Sequence, residues 1–325
     1  MSVFLDAEDL DLVAALQVDP RAPLSRVAEV LGWSSSTVSR RLARLESARL
    51  LRVIGQLDWS ITGHGNPWHV WVETAPEQIN EVANALSEIP QTQFVATTAG
   101  RADVFCTMQA AEPNGVHQLL NRISAIRGVR STHTELVLRG VKKADSWRLP
   151  RLSAEQVAAL SANDGPPCDE PVELDDDMWA TLRLLRRNGR ISTAQVAREL
   201  GVGQSTAYRM VQSLLRRKLV RPRVEIEPSL LGYALEAIVA LTVTPASVKP
   251  VAEALAEHPS ARYVTIVAGT SSVVHHGIFR DEDALSELLT EDLADLPGVA
   301  TFDVSVVREV RKRYWLGRTG GRLDD

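Results

Sequence analysis

The sequence predicts an α+β protein built from two copies of one unit of about 145 residues. Three observations support this: an internal repeat, a change of hydrophobic period within each copy, and a segregation of positive charge. The chain has 325 residues, of which 45% are hydrophobic and 24% charged. This composition is that of a globular protein, and it excludes disordered, collagen-like and disulfide-scaffold proteins. The length predicts two to four domains of roughly 100–200 residues each.

The repeat aligns two basic segments without a gap at an offset of 169 residues. Arg21 falls on Arg190, and eleven of the 32 positions from Arg21 to Arg52 are identical to their counterparts, which is too many for chance. The register continues to Gly100 on Gly269 and slips by one residue near Gly128. We therefore interpret the chain as a tandem duplication.

A segment rich in Pro, Gly and Asp, residues 162–171, separates the copies and is typical of a linker. We assign the linker to residues 146–173 and expect one short helix in it, at 153–160. The predicted domains are two helical domains at 1–55 and 174–224, and two sheet domains at 64–145 and 233–316.

The start of each copy has helical spacing of apolar residues. In the first copy, residues 6–18 predict one helix and Leu24–Leu31 a second, which ends at Gly32. Ser34 to Ser36 offer hydroxyl caps for a third helix. The second copy repeats the pattern, with Gly201 ending its second helix. A helix, a glycine turn and a further helix predict a helix-turn-helix domain, here of the winged type.

The remainder of each copy alternates strands and helices in the order βαββαβ. This order predicts a ferredoxin-like, four-stranded antiparallel sheet with both helices on one face. The other face of each sheet is apolar and must be buried against another element, so we expect the two sheets of one chain to pack face to face. In the first copy the predicted strands are one at 70–72, a pair flanking a turn at 95–108 and one at 131–138, with helices at 78–88 and 115–126. In the second copy they are one at 238–243, a pair flanking a turn at 264–279 and one at 300–307, with helices at 248–257 and 283–293.

Charge is distributed unevenly along the chain. The formal net charge of −5 taken alone argues against nucleic acid. Residues 180–224 nevertheless hold eleven Lys and Arg against one acid, and residues 21–53 hold seven Arg against two acids. This segregation is typical of discrete modules that meet a polyanion.

These motifs resemble the leucine-responsive/asparagine regulator (Lrp/AsnC) family over both copies. The matching residues in the first copy are Leu5-Asp6-x-x-Asp9, Arg21, Val27-Ala28-x-x-Leu31-Gly32-x-Ser34, Thr37-Val38-x-Arg40-Arg41-Leu42-x-x-Leu45-Glu46 and Gly100-x-x-Asp103. In the second copy they are Gly189 to Ser192, Val196-Ala197-x-x-Leu200-Gly201-Val202 and Ser205-Thr206-x-x-Arg209. The second copy departs at Gly203, in place of a Ser cap, and at Ser272, in place of the Asp.

The resemblance implies a transcriptional regulator that binds double-stranded DNA and a small-molecule effector, such as an amino acid, and that forms homo-oligomers. The third helix of each copy would read DNA, because its amino-terminal N–H groups and hydroxyls suit phosphate and its Arg side chains reach phosphates or guanine edges. The alternative without a function is that these Arg side chains only form a solvent-exposed helix face. The candidate DNA contacts are Ser35, Ser36, Thr37, Ser39, Arg40 and Arg44 in the first copy, and Gln204, Ser205, Thr206, Tyr208, Arg209, Gln212 and Arg216 in the second.

The candidate effector residues are Gly100, Arg101 and Asp103, in the Gly-x-x-Asp loop that is the family's signature. The Asp103 carboxylate would hold the ammonium group of a ligand. The alternative is that Asp103 only caps a turn between two strands. Since Ser272 replaces it in the second copy, we expect an asymmetric response with one ligand per chain.

Other features predict no chemistry. Cys106 and Cys168 match no zinc or redox spacing. His275 and His276 are neighbours on a predicted strand and point to opposite faces, so they cannot hold one metal together. We therefore predict no catalytic site, metal or cofactor. No apolar run is long enough for a membrane helix, and the start of the chain lacks a signal segment, so we expect a cytoplasmic protein without membrane contact.

Two rival functions remain. Siroheme decarboxylases resemble this family and use the sheet domain as an active site, so an enzyme on the same fold is the main alternative to a non-enzymatic regulator. Such an enzyme is not expected to keep two basic recognition helices. A protein-interaction adaptor with degenerate helix-turn-helix domains is the other alternative, and the basic segment 180–224 argues against it.

Overall fold

The computed structural model describes residues 5–112, 114–142, 146–161 and 174–324. They divide into two compact units. A helical unit contains the chain through Ile61 together with Arg148–Glu227, and a sheet unit contains Thr62–Trp147 together with the chain from Pro228 onward. Cys168 and the linker core at 162–173 lie outside the described residues.

The elements follow the predicted order, with extra strands after each helical domain and at the carboxyl end. The helices are α1 (Ala7–Val18), α2 (Leu24–Leu31), α3 (Ser35–Ser47), α4 (Trp59–Thr62), α5 (Ile79–Glu88), α6 (Val116–Ser124), α7 (Ala154–Leu160), α8 (Asp176–Arg187), α9 (Thr193–Leu200), α10 (Gln204–Arg216), α11 (Val248–Glu257) and α12 (Glu282–Glu287). The strands are β1 (Leu51–Leu57), β2 (His64–Thr74), β3 (Thr92–Ala99), β4 (Val104–Ala110), β5 (Val129–Lys142), β6 (Val220–Ile226), β7 (Leu235–Val243), β8 (Ala261–Ala268), β9 (Val273–Phe279), β10 (Val299–Arg313), β11 (Leu316–Thr319) and β12 (Arg322–Leu323).

The helical unit holds two trihelical segments, α1–α3 and α8–α10. Local sequence determines where their helices begin and end. The Asp6 carboxylate accepts a hydrogen bond from the backbone N–H of Asp9, and the Asp9 carboxylate accepts one from the backbone N–H of Asp6, so α1 starts with a capping box. Gly32 ends α2 with a φ of 72°, in the left-handed region that favours glycine. Gly201 ends α9 in the same conformation.

The trihelical segments are joined by a two-stranded antiparallel ribbon that the sequence did not reveal. Strand β1 pairs with β6 over their full length, from Leu51 opposite Ile226 to Leu57 opposite Val220. Each copy therefore contributes one strand to a shared ribbon. The predicted domain ends at 55 and 224 lie within these strands, and the pairing continues beyond both.

The described part of the predicted linker, apart from its first two residues, belongs to the helical unit. The predicted short helix is present as α7, capped by Ser153. The Gln156 amide donates to the Val30 carbonyl at 3.1 Å, and Arg26 donates to the Ala159 carbonyl. These bonds fasten α7 to α2, so α7 packs as an additional helix against the segment α1–α3.

The sheet unit contains two βαββαβ modules, as the sequence predicted. The first has strand order β3-β4-β2-β5 and the second β8-β9-β7-β10, all antiparallel. Strand β5 also pairs with β8, and β10 with β3, so the eight strands form a closed ring. The modules thus hydrogen-bond at both edges in addition to facing each other.

Three apolar clusters fill the sheet unit. One lies between the first sheet and helices α5 and α6, and a second lies between the second sheet and its helices. The third lies between the inner faces and combines Trp71 and Phe105 of the first module with Ile238 and Val274 of the second. The two sheets therefore cover each other's apolar faces within one chain.

Candidate nucleic-acid interface and effector loop

Helix α3 presents polar residues to solvent and apolar residues to the core. Its start is capped by Ser34, whose hydroxyl accepts from the Thr37 backbone N–H at 3.1 Å. Val38, Leu42 and Leu45 are buried, which fixes the orientation of the helix. The predicted contacts Ser35, Ser36, Ser39, Arg40 and Arg44 are exposed, and Thr37 is half-buried.

Helix α10 has the same orientation in the second segment. Gly203 supplies no side-chain cap, as its departure from the Ser pattern predicted. Ala207, Met210, Val211 and Leu214 are buried. The predicted contacts Gln204, Ser205, Tyr208, Arg209 and Arg216 are exposed, whereas Thr206 and Gln212 are half-buried. Tyr208 is 57% exposed, an unusual position for a large aromatic side chain unless a partner covers it.

The Arg side chains of these helices differ in their partners. Within the described part of the chain, no carboxylate lies within ion-pair distance of Arg40, Arg209 or Arg216. Arg44 is different, because its guanidinium is bound to the buried carboxylate of Asp9 on α1. In this structure Arg44 fastens α3 to α1, and its predicted contact with DNA stays a prediction.

Several basic residues counted in the segment 180–224 also serve the fold. The Arg223 guanidinium is buried and donates to the Gln56 amide oxygen at 3.0 Å across the ribbon. Arg221 forms an ion pair with Asp58 at 3.3 Å. Arg190 donates to backbone carbonyls of the first copy. The local excess of positive charge therefore overstates what can face a polyanion.

The Gly-x-x-Asp loop lies between β3 and β4, where the sequence predicted it. The Asp103 carboxylate accepts from the Thr74 backbone N–H at 2.7 Å and from its hydroxyl at 3.2 Å. At the matching place in the second module, Ser272 accepts from the Val243 backbone N–H at 3.2 Å. Each side chain therefore bonds the backbone where the first strand of its own module ends, and the role of Asp103 in ligand binding stays a prediction.

The two glycines of the paired loops approach the opposite module closely. A Cβ at Gly100 would lie 2.2 Å from the Val304 carbonyl oxygen, and one at Gly269 would lie 2.5 Å from the Glu135 Cγ. Neither backbone has room for a side chain. Each loop is therefore pressed against the last strand of the other module.

Arg101 makes the polar contacts that the sequence did not predict. Its guanidinium carbon lies 4.9 Å from the centroid of the Trp71 ring, and its nitrogens bind Glu135 at 3.4 Å and the Ser271 hydroxyl at 2.8 Å. Thr270 also accepts from it. Glu135 and Trp71 belong to no sequence motif. The repeat aligns Glu135 with Ser305 and Trp71 with Ala240, and this difference between the copies is the only signal in the sequence that could have marked them.

Two neighbouring histidines of the sheet unit bond different partners in its interior. His276 bonds Glu236 at 2.6 Å and His275 bonds the Ser260 hydroxyl at 3.0 Å, on opposite faces of β9 as predicted. Burial raises the pKa of the Cys106 thiol to about 12.

Among the residues that the structure describes, no three His, Cys, Asp or Glu side chains lie close enough together to hold a metal ion. In the same residues, no helix is long and apolar enough to cross a bilayer.

Three family models match the chain. An AsnC-type helix-turn-helix domain matches residues 5–46, and the Lrp/AsnC ligand binding domain matches 69–147 and again 236–315. The second helical segment matches an IclR helix-turn-helix domain at 180–223. The matches cover both sheet modules, which agrees with a tandem duplication.

Sequence relatives indicate the same family, and a solved structure shares the fold. The chain is 31% identical over 147 residues to the "Uncharacterized HTH-type transcriptional regulator PH0140" of Pyrococcus horikoshii, covering 45% of this chain and 93% of the relative. It is 28% identical over 144 residues to the "HTH-type transcriptional regulator FL11" of the same organism, covering 44% and 95%. The crystal structure of the siroheme decarboxylase NirDL shares the fold, with a TM-score of 0.62 and 12% identity over 94% of this chain and 92% of that one. The chain belongs to the Lrp/AsnC family of transcriptional regulators.

Proposed function

We propose that the chain reads DNA with helices α3 and α10 of its helical unit and does not act as an enzyme. The observation that carries this proposal is the exposed, unpaired Arg at the same place on both helices, Arg40 and Arg209. Guanidinium groups without a carboxylate partner are available to phosphates and to guanine edges. The regulators among the relatives support the same function.

The two reading helices differ in the side chains that they expose. Ser35 and Ser39 of α3 correspond to Gln204 and Tyr208 of α10. Small hydroxyls and a large aromatic side chain cannot make the same contacts in a major groove. We infer that the chain binds two unlike half-sites, in contrast to the palindrome that two identical helices would read.

The sheet unit is proposed to bind a small-molecule effector, an amino acid or a similar metabolite. The support is the ligand-binding family model, which matches both modules. Further association of chains into homo-oligomers is part of the same proposal. Of the candidate effector residues, Gly100 and Arg101 lie where the two modules meet, whereas Asp103 is engaged with Thr74.

The second candidate function is that of a siroheme-decarboxylase-like enzyme. It is favoured by one observation, the fold shared with NirDL over nearly the whole chain. An identity of 12% carries the fold and no chemistry. A change in the Soret band when heme is added to the purified protein would support this candidate, and an unchanged spectrum would argue against it.

The experiment that tests the proposed function is selection of genomic fragments on the full chain, followed by gel shifts at several salt concentrations. Binding is expected to weaken steeply as salt rises, because phosphate contacts release counterions. Arg209→Ala with Arg216→Ala should weaken it, by roughly 1–3 kcal/mol for each of the two side chains that reads a base. The matched control is Arg139→Ala with Arg308→Ala, two exposed residues of the sheet unit. Equal gel shifts for the two double variants would overturn the assignment of α10.

A further inference from the structure

A guanidinium group is bound where the two modules of the sheet unit meet. It belongs to Arg101 of the Gly-x-x-Asp loop. One face stacks over the Trp71 ring at 4.9 Å, and its edge meets the Glu135 carboxylate at 3.4 Å. The hydroxyls of Ser271 and Thr270, from the opposite module, accept two further hydrogen bonds from it. An aromatic face, a carboxylate and two hydroxyls are the complete set of partners that a planar guanidinium prefers.

The carboxylate of this cluster is held in place without Arg101. Glu135 is fully buried, and it accepts from the Trp71 indole N–H at 3.0 Å and from the Ser271 backbone N–H at 3.0 Å. Burial by itself would raise the pKa of Glu135, but these hydrogen bonds and the charge of Arg101 hold it below its usual value. The negative charge is therefore prearranged. Removal of Arg101 leaves it with only the His133 imidazole at 3.7 Å as a neighbour that can carry positive charge.

The cluster lies at the rim of the unit, where a solute can reach it. Thr270 is exposed, and the His133 side chain beside it is 41% exposed. Arg101 itself keeps 16% of its side chain in contact with solvent. A partly exposed side chain that is tethered by one loop can be exchanged for a free molecule of the same chemistry.

The repeat provides two equivalent positions for such a cluster, and only the first of them carries the residues that form it. At the other place, Ala240 replaces Trp71, Ser305 replaces Glu135 and Thr270 replaces Arg101. There the Ser305 hydroxyl accepts only from the Arg101 backbone N–H, at 3.1 Å. The aromatic face and the carboxylate are both missing, so the second place offers no partner for a cation.

We propose that this cluster is a guanidinium-binding site which the chain occupies with its own Arg101, so that a guanidinium-bearing small molecule binds by displacing that side chain. Its carboxylate is Glu135 and its platform is Trp71. A compact ammonium group cannot stack over the ring and meet the hydroxyls and the carboxylate in one plane, so guanidinium is preferred to ammonium. This inference deepens the proposed effector role of the sheet unit and rests on it only where ligand binding is taken to alter DNA binding.

The test removes the tethered group and supplies a free one. The full chain with Arg101→Ala is heated with and without millimolar methylguanidinium, and its Tm is measured. The expected result is a rise of about 2 °C or more with methylguanidinium, because a ligand that binds only the folded state stabilises it. Methylammonium should give a smaller rise and urea, a neutral molecule of similar shape, none. The wild-type chain and the matched variant Arg139→Ala should show a smaller rise, because the ligand must first displace the Arg101 side chain. No rise in the wild-type chain at any methylguanidinium concentration would contradict displacement.

The role of the carboxylate is tested in the same background. Glu135→Gln combined with Arg101→Ala should abolish the response to methylguanidinium. If Arg101→Ala does not fold alone, recovery of folded protein during refolding with methylguanidinium, and not with urea, is the expected result. Absence of any response in Arg101→Ala by either measurement overturns the proposal, as does an equal response in the double variant.

A gel shift on the same samples separates this inference from the proposed function. Arg101→Ala that binds DNA like the wild type but ignores methylguanidinium contradicts the site alone. A wild-type chain that binds no genomic fragment contradicts the proposed function alone, whatever the Tm of Arg101→Ala does.

Discussion

Arg21 and Arg190, which the repeat aligns, hold the two halves of the helical unit together by exchanging equivalent contacts. Arg21 donates to the Ile191 carbonyl at 3.2 Å, in the loop that carries Arg190. Arg190 donates to the carbonyls of Pro20 at 2.6 Å and Ala22 at 2.8 Å, in the loop that carries Arg21. The pair makes the helical unit an internal pseudo-dimer, so these two charges are used within the protein.

Replacing either member of this pair should destabilise the helical unit. Arg21→Ala removes charged hydrogen bonds to buried carbonyls, and we expect a loss of about 2 kcal/mol in the free energy of unfolding. Arg190→Ala should have a similar effect, and the double variant should lose less than the sum because the two loops are coupled. Urea unfolding measures these values. The control is Arg187→Ala, an exposed residue. An unfolding midpoint for Arg21→Ala equal to that of the control would refute the clamp.

Arg40 and Arg44 should separate DNA binding from stability. Arg40→Ala is expected to weaken DNA binding and to leave stability unchanged, because Arg40 is exposed and has no carboxylate partner among the described residues. Arg44→Ala should affect DNA binding less and cost under about 1 kcal/mol of stability, since the Arg44 guanidinium is half-exposed and Arg41 keeps its own ion pair with the buried Asp9 carboxylate. Gel shifts and thermal unfolding of both variants check this, and the reverse pattern would show that Arg44 leaves Asp9 to bind DNA.

Acid should destabilise the sheet unit through two buried histidines. Burial lowers the pKa of His69 to about 4 and that of His275 to about 3, from a usual value of 6.5. Above pH 6.5 both are neutral in the folded and unfolded chains. As the pH falls below 6.5 only the unfolded chain takes up the protons, so stability decreases until the folded pKa is reached.

The predicted loss between pH 7 and pH 5 is about 2 kcal/mol for each of the two histidines. Urea unfolding at both pH values measures it. His69→Asn should reduce this loss, although it also removes bonds to Thr107 and Thr265 and so lowers stability at pH 7. His117→Asn, at an exposed position, is the control. A pH dependence that is identical in His69→Asn and the wild type would contradict the prediction.

The turn caps at Asp103 and Ser272 should differ in strength. Asp103→Ala is expected to cost about 1.5–3 kcal/mol, since a carboxylate accepts its bonds, and Ser272→Ala about 0.5–1.5 kcal/mol. Thermal unfolding gives both values. Isothermal titration with a panel of amino acids then tests whether Asp103 also holds a ligand. Unchanged stability together with abolished ligand binding in Asp103→Ala would support the effector role of Asp103 and contradict its role in stability.

Local pattern in the sequence was sufficient for the helices, the βαββαβ order and the duplication. Helical spacing around Val38 and Leu42 predicts α3, because an amphipathic helix must bury one face wherever it packs. The glycine turn at Gly32 needs only its own backbone conformation. The facing of the two sheets also followed from the sequence, since an apolar sheet face cannot remain in water.

Tertiary structure alone decided what each polar side chain does. The periodicity that predicts α3 cannot distinguish the free Arg40 from Arg44, because the difference is the position of Asp9 on another helix. The ribbon of β1 and β6, the exchange between Arg21 and Arg190, and the seat of Arg101 on Trp71 all join residues far apart in the chain. Hydrogen bonds and ion pairs depend on distances of a few ångströms between such residues, and no local pattern carries those distances.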